Sequence, residues 1–275
     1  MSEEDAKPTI DHLRGLLRRI EERGKGGPAG KRRPVPLEET VKGREIETPR
    51  GAMYLIEEEA AKFLEPDDDF AAATDLFFRR GQTNTAFLAK VDENLASLAA
   101  LPPERILFLD IETAGFHGSA LFLVGLLVYE DGRFLIKQLF ARDYAEEAAV
   151  LEHLRDYYDK SDVVVTFNGR SFDLPFVHDR AILHRVDLVR PEFDMDLLHA
   201  ARRVWKGTLP NCRLGTLEEF VCGRRRSGDL PSHLIPQAYH DFVESADARL
   251  MVEVVRHNAY DLVTMAHLLA KMASF

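Results

Sequence analysis

The chain is short of cysteine, of apolar runs and of positive charge, and each shortage removes a class of protein. Its two cysteines, Cys212 and Cys222, stand apart without neighbouring ligand pairs. That argues against a disulfide framework and against a zinc cluster, and a reducing cytoplasm is the expected compartment. The longest apolar stretch, Ala120 to Tyr129, contains Gly125 and falls well short of the ~20 residues of a membrane span. The opening MSEEDAKPT is acidic and polar, unlike a secretory signal. With a formal net charge of −10, the surface is not the basic coat of a bulk nucleic-acid binder. Basic clusters do occur, at Lys31-Arg32-Arg33, Arg79-Arg80, Arg202-Arg203 with Lys206, and Arg224-Arg225-Arg226; each reads first as solvated surface. What the chain has in ordinary measure is core, with 45% hydrophobic and 30% charged residues over 275 positions. That is the composition of one large soluble domain or of a domain with an appendage.

Three regions follow from pattern. In residues 1–36, Ile10, Leu13, Leu16, Leu17 and Ile20 share one face of an amphipathic helix over Thr9 to Arg23. It is tethered by the Gly- and Pro-rich linker Gly24 to Pro36 and docks either on its own protein or on a protein partner. Residues 37–100 carry two short strands around Thr48-Pro49-Arg50-Gly51, then a helical pattern with Phe87, Leu88, Val91, Leu95 and Leu98 on one stripe. This region holds no catalytic constellation and is expected as an accessory layer. Residues 101–275 read as mixed α/β. Strands at Arg105 to Glu112, Ala120 to Glu130 and Arg133 to Phe140 form an antiparallel meander, with Asp131-Gly132 as its tight turn. A helix over Ala145 to Tyr158, a buried strand at Asp162 to Phe167 and later helices follow.

The chemistry begins in the first of those strands. Asp110 and Glu112 stand two apart, so their side chains leave the same side of the strand. Either they end the strand in solvent, or a divalent cation relieves their repulsion; hard Mg2+ or Mn2+ suits carboxylate oxygens. After the fourth strand comes Asn168-Gly169-Arg170-Ser171-Phe172-Asp173, which leads into a helix with Pro175 in its first turn. Asp173 is then a helix cap or a further ligand. The last acid, Asp261, lies just inside the buried edge of a helix over Arg249 to Met272. A carboxylate there must be paired, protonated or metal-bound. His257 sits one turn before it.

The succession DIET, NGRSFD and HNAYD resembles the three motifs of the DEDD superfamily, 3′–5′ exonucleases on the ribonuclease-H-like fold. The middle motif is similar to that of the proofreading domain of family B DNA polymerases. Over about Leu101 to Ser274 the chain looks most like bacterial stand-alone ribonuclease H-like domain proteins. The resemblance implies that Asp110, Glu112, Asp173 and Asp261 hold two Mg2+ or Mn2+ ions, and that phosphodiester bonds at single-stranded DNA or RNA ends are hydrolysed. It makes Asn168 and Phe172 substrate contacts, with plain core packing as the alternative for Phe172; Thr113 is expected beside them, and Arg213, with Arg202, Arg203 and Lys206 between the second and third motifs, as a phosphate contact. Asp196 is expected as a cap or supporting residue and as the reserve metal ligand. One departure stands out: a histidine, His257, occupies the place four before the last Asp where the tyrosine-type motif has tyrosine. It serves either as general base or as a brace for Asp261, and the neighbouring Tyr260 points away. A fold kept for nucleic-acid binding without turnover, or for structure-selective internal cleavage, is the alternative.

Overall fold

The computed structural model describes residues 33–81, 89, 92–116, 118–226 and 228–272. The expected helix at Thr9 to Arg23, most of its linker, and Phe87, Leu88 and Val91 lie outside them. Seven strands appear: β1 (Arg44–Thr48), β2 (Gly51–Glu59), β3 (Ile106–Thr113), β4 (Leu121–Glu130), β5 (Arg133–Phe140), β6 (Val163–Thr166) and β7 (Phe193–Asp196). The described helices are α1 (Leu37–Thr40), α2 (Phe70–Gly81), α3 (Glu93–Ala99), α4 (Glu147–Tyr158), α5 (Asp173–His184), α6 (Leu197–Trp205), α7 (Leu214–Phe220), α8 (Ile235–Ser245) and α9 (Met251–Met272).

The strands make one mixed sheet in the order β1-β2-β5-β4-β3-β6-β7. β3, β4 and β5 are the antiparallel meander, and β6 and then β7 add in parallel beside β3. This is the ribonuclease-H-like arrangement that the resemblance implies. Between β4 and β5, Asp131 and Gly132 both take positive φ, +50° and +80°, the backbone a two-residue hairpin turn demands. The β1–β2 hairpin does not lie across the sheet as a layer: β2 pairs with β5, so main-chain hydrogen bonds join this region to the sheet. β7 is a strand the sequence pattern does not announce, because Phe-Asp-Met-Asp is only 4 residues long, lacks β-branched residues and carries two acids.

The sheet is covered on both faces. Along β3, Leu107, Leu109 and Ile111 belong to a core with α4, α5 and α8, while Ile106 and Phe108 belong to one with α2, α6 and α9. Asp110 and Glu112 continue the second set by alternation, so both carboxylates leave the sheet on the face that α9 crosses. Helix α9 is long and mostly buried, and no described helix is long and apolar enough to cross a membrane.

Candidate active site

Three elements converge beside the half-buried Asp110 and Glu112. Helix α5 begins at Asp173, with Phe172 in the cap position offering no side-chain hydrogen bond. The buried Asp173 instead turns to β3, where its Oδ1 accepts from the Ile111 N–H at 3.2 Å. Helix α9 supplies His257, Asn258 and Asp261. The charges feel one another. Desolvation, then Asp261, Glu112 and Asp173, raise Asp110 well above the ordinary carboxylate range, with the Asn258 hydrogen bond opposing. Desolvation pushes Glu112 up to about 8, eased by His257 and worsened by Asp261 and Asp173. Asp173 rises to about 7, again first through desolvation, against backbone hydrogen bonds and with Asp196 and Asp261 adding to it. The metal-free chain therefore holds acids that resist ionising together.

Asp110 is oriented by a buried amide chain. Asn258 Nδ2 donates to Asp110 Oδ2 at 2.8 Å and to its carbonyl at 3.2 Å, and Gln138 Nε2 donates to Asn258 Oδ1 at 2.8 Å. Asn258 fits because Gly125, opposite Asp110 on β4, has no side chain: a Cβ there would stand 1.9 Å from Asn258 Oδ1.

His257 and Asp261 belong to a closed ring of four residues. His257 Nδ1 stands 3.0 Å from both carboxylate oxygens of Asp229, and its Nε2 lies 3.4 Å from Asp261 Oδ2 and 3.3 Å from Ser232 Oγ. Arg226 closes the ring, Nη2 donating to Asp261 Oδ1 at 2.5 Å and Nη1 to Asp229 Oδ2 at 3.2 Å, while its Nε donates to Glu218 at 2.5 Å. Burial works against a charge on His257, but the Asp229 hydrogen bond and the charges of Asp261 and Glu112 prevail and raise it to about 9. Asp261 is thus paired, one of the three states its position demands. Neither Asp229 nor Arg226 is evident from sequence. The Arg224-Arg225-Arg226 run reads as solvated surface, yet only Arg225 is; Arg224 and Arg226 are turned inward by Asp68, Glu218, Asp229 and Asp261. Tyr260 carries the Arg226 guanidinium 5.3 Å over its ring.

The other anticipated residues surround this centre. Asp196 caps α6 through Leu198 N–H and also takes the Asn168 N–H at 2.8 Å and the Arg170 N–H at 3.3 Å, so it pins the turn ahead of Asp173. Those carboxylate oxygens are occupied, which suits a supporting residue. Phe172 packs on Phe176 with centroids 5.5 Å apart. The Thr113 hydroxyl donates to the Gly115 carbonyl at 2.7 Å, bracing the loop after β3. On that loop Phe116 is 91% exposed; an aromatic among glycines is the sequence signal for it. Arg213 lines a cleft of about 470 Å3 with Arg225, Arg226, Ser232, His257 and Asp261.

The donor set fits hard divalent cations. Asp110 and Asp173 receive only neutral N–H donors, and Glu112 takes no hydrogen bond among the described residues. None of the three takes a hydrogen bond from a cationic side chain, and the charge of His257 eases Glu112 alone. No three of the four acids bring oxygens within 4.8 Å of one another among the described residues. A pair of ions ~3.5 to 4 Å apart asks for a broader spread than that. The trio that does close to this limit, Asp68, Asp69 and His267, already has Arg224 and Lys271 as cations and is a salt-bridge network.

Comparison with known proteins agrees with this fold. The RNase_H_2 family model, of the RNase_H superfamily, matches residues 107–273. The protein YprB of Bacillus subtilis (strain 168) is 37% identical over 175 residues, 62% of this chain and 42% of that one. Among solved structures, the family B DNA polymerase of the hyperthermophilic archaeon Pyrobaculum calidifontis matches 61% of this chain and 24% of its own, with a TM-score of 0.50 and 19% identity. The chain therefore spans less than half of the relative and about a quarter of the polymerase.

Proposed function

Because the chain belongs to the RNase_H superfamily, we propose that it is a metal-dependent nuclease, a DEDD-type 3′–5′ exonuclease acting on single-stranded DNA or RNA ends. The observation that carries this reading is the cluster at Asp110, where desolvation and neighbouring carboxylates raise Asp110, Glu112 and Asp173 and none of these three takes a hydrogen bond from a cationic side chain. Asp110, Glu112, Asp173 and Asp261 would hold two Mg2+ or Mn2+ ions, which when bound supply Lewis acidity for an in-line attack by water on the phosphodiester.

The chain's own residues do the rest. With Nδ1 held by Asp229, His257 presents Nε2 toward Asp261 and the cleft, the geometry of a general base. Its proton is supported by Asp229, Asp261 and Glu112. Neutralising the latter two withdraws part of that support and frees Nε2 to take a proton. Asn258 and Gln138 fix Asp110, and Asp196 fixes the turn before Asp173. Asn168, Phe172, Thr113 and Arg213 contact the strand end, and the exposed Phe116 offers a face on which a base stacks. A second reading, nucleic-acid binding without turnover, draws on Arg226 already holding Asp261.

The test is digestion of 5′-labelled single-stranded DNA and RNA with Mg2+, Mn2+ or EDTA, beside Asp110→Ala. A ladder shortening from the 3′ end, absent with EDTA and in the variant, is expected. Internal cuts, or binding without turnover, would replace the proposal with one of its rivals.

A further inference from the structure

The region ahead of residue 101 carries no catalytic constellation in its sequence, yet one of its acids reaches the candidate site through buried charge. Asp68 stands just before α2, where its Oδ1 accepts the Phe70 N–H at 2.8 Å in the manner of a cap. Its Oδ2 accepts from Arg224 Nη1 at 2.9 Å, across 156 positions of sequence. The same guanidinium faces Glu218 on α7, Nε to Oε1, at 3.6 Å, and Glu218 Oε2 accepts from Arg226 Nε at 2.5 Å. Arg226 in turn holds Asp229 and Asp261. Signs alternate along this line, from Asp68 through Arg224, Glu218 and Arg226 to Asp261. The first three side chains are 3%, 7% and 2% exposed. So far out of water, each charge is held in place chiefly by its neighbours.

One joint is looser than the rest. Glu218 Oε1 and Arg224 Nε are both buried without a hydrogen bond, and they face each other just beyond the reach of one. Glu218 is shared: Arg226 grips it, and Arg224 is kept from closing on it by Asp68 on the other side. We propose that Asp68 is a positioning residue of the candidate active site, which holds Arg224 back, leaves Glu218 to Arg226, and so fixes Arg226 against Asp229 and Asp261. This role rests on the nuclease reading above, which gives Asp261 and His257 their work. Without the charge of Asp68, Arg224 is a buried cation short of a partner, and the acceptor at hand is Glu218 Oε1. Closing that joint draws Oε2 off Arg226, whose fork loses its rear anchor. His267 and Thr264, which also touch Arg224, bring no negative charge to replace the one removed.

Asp68→Asn tests this with little harm to the fold, because asparagine still caps α2 while its amide carries no charge. The readouts, on the full chain, are the NMR signal of the Arg226 Nε–H without metal or nucleic acid, and kcat and KM on single-stranded DNA or RNA with Mg2+. Asp68→Asn is expected to shift the Arg226 signal and to lower kcat on the order of fivefold, with KM little changed. In a Glu218→Gln background, where the line is already cut, the same substitution should add nothing to either readout. A residue that merely stabilised α2 would act alike in both backgrounds. An Arg226 signal unmoved by Asp68→Asn, or effects of Asp68→Asn and Glu218→Gln that multiply in kcat, would overturn the inference. A wild type that cleaves nothing would remove the nuclease reading, while the Arg226 signal still decides whether Asp68 positions Arg226. If Asp68→Asn does not fold, Arg224→Lys, which lacks the fork that spans Asp68 and Glu218, takes its place in the same comparison.

Discussion

Gly125 shows how one absent side chain sets the position of a charged group. It stands opposite Asp110 on the neighbouring strand, and the space a Cβ would fill is taken by the amide of Asn258. Gly125→Ala is therefore expected to displace Asn258, break its hydrogen bonds to Gln138 and Asp110, and cost about 1–3 kcal/mol. Asn258→Ala should cost a similar amount, and the double variant less than the sum, since the alanine methyl then enters space already vacated. Urea unfolding of the three proteins checks this; strict additivity would mean that the two residues do not share the site. At this scale the sequence was legible in part. Asp110, Glu112, Asp173, Asp261 and His257 are brought together, the first two by strand alternation. Asp229 and Arg226 were not legible, because their importance comes from pairings across 28 and 35 positions that no periodicity records.

Helix α9 is fastened to the segment before α2 by His267. Its Nε2 lies 2.8 Å from Asp69 Oδ1, and its Nδ1 takes an N–H of Arg224 at 2.9 Å. That pattern needs a neutral ring, and burial followed by the charge of Arg224 lowers the histidine's pKa in the folded chain. The unfolded histidine binds a proton near pH 6.5 and the folded one does so only at lower pH. Stability from this contact is thus complete above about pH 6.5 and is lost as pH falls, by at most about 1.4 kcal/mol per pH unit. The urea midpoint should drop between pH 7.5 and 5.5 in the wild type and drop less in His267→Gln; equal slopes would show that His267 does not carry the effect. Elements with strong period, β3 to β6, α4 and α9, are readable from sequence, as are the β1–β2 hairpin by its turn residues and the starts of α5 and α6. β7 is too short and too acidic to announce itself, and it forms because β6 offers a parallel edge and Met195 a buried anchor.

The whole molecule carries ten more negative than positive charges, and four of its acids, Asp110, Glu112, Asp173 and Asp261, feel one another where the sheet meets α9. Removing one of them should stabilise the metal-free protein. Asp110→Asn keeps an acceptor for Asn258 while deleting a desolvated charge, so its melting temperature in EDTA is expected to rise by a few degrees. Mn2+ should raise the wild-type value by a comparable or larger amount and the variant's by much less. A wild type insensitive to Mn2+ would contradict the metal reading at the level of the entire fold. The position of the β1–β2 hairpin could not have been read from sequence, since strand pattern does not say which sheet edge a hairpin joins. The tie between Asp110 and Asn258 spans 148 positions, and that separation has a consequence for a chain still being made. β3 leaves the ribosome long before α9, and until α9 lies across the sheet the acids lack Asp261 and Asp110 lacks its amide brace. On the proposed function, a nuclease assembled in this order stays inert until α9 has been made and has docked.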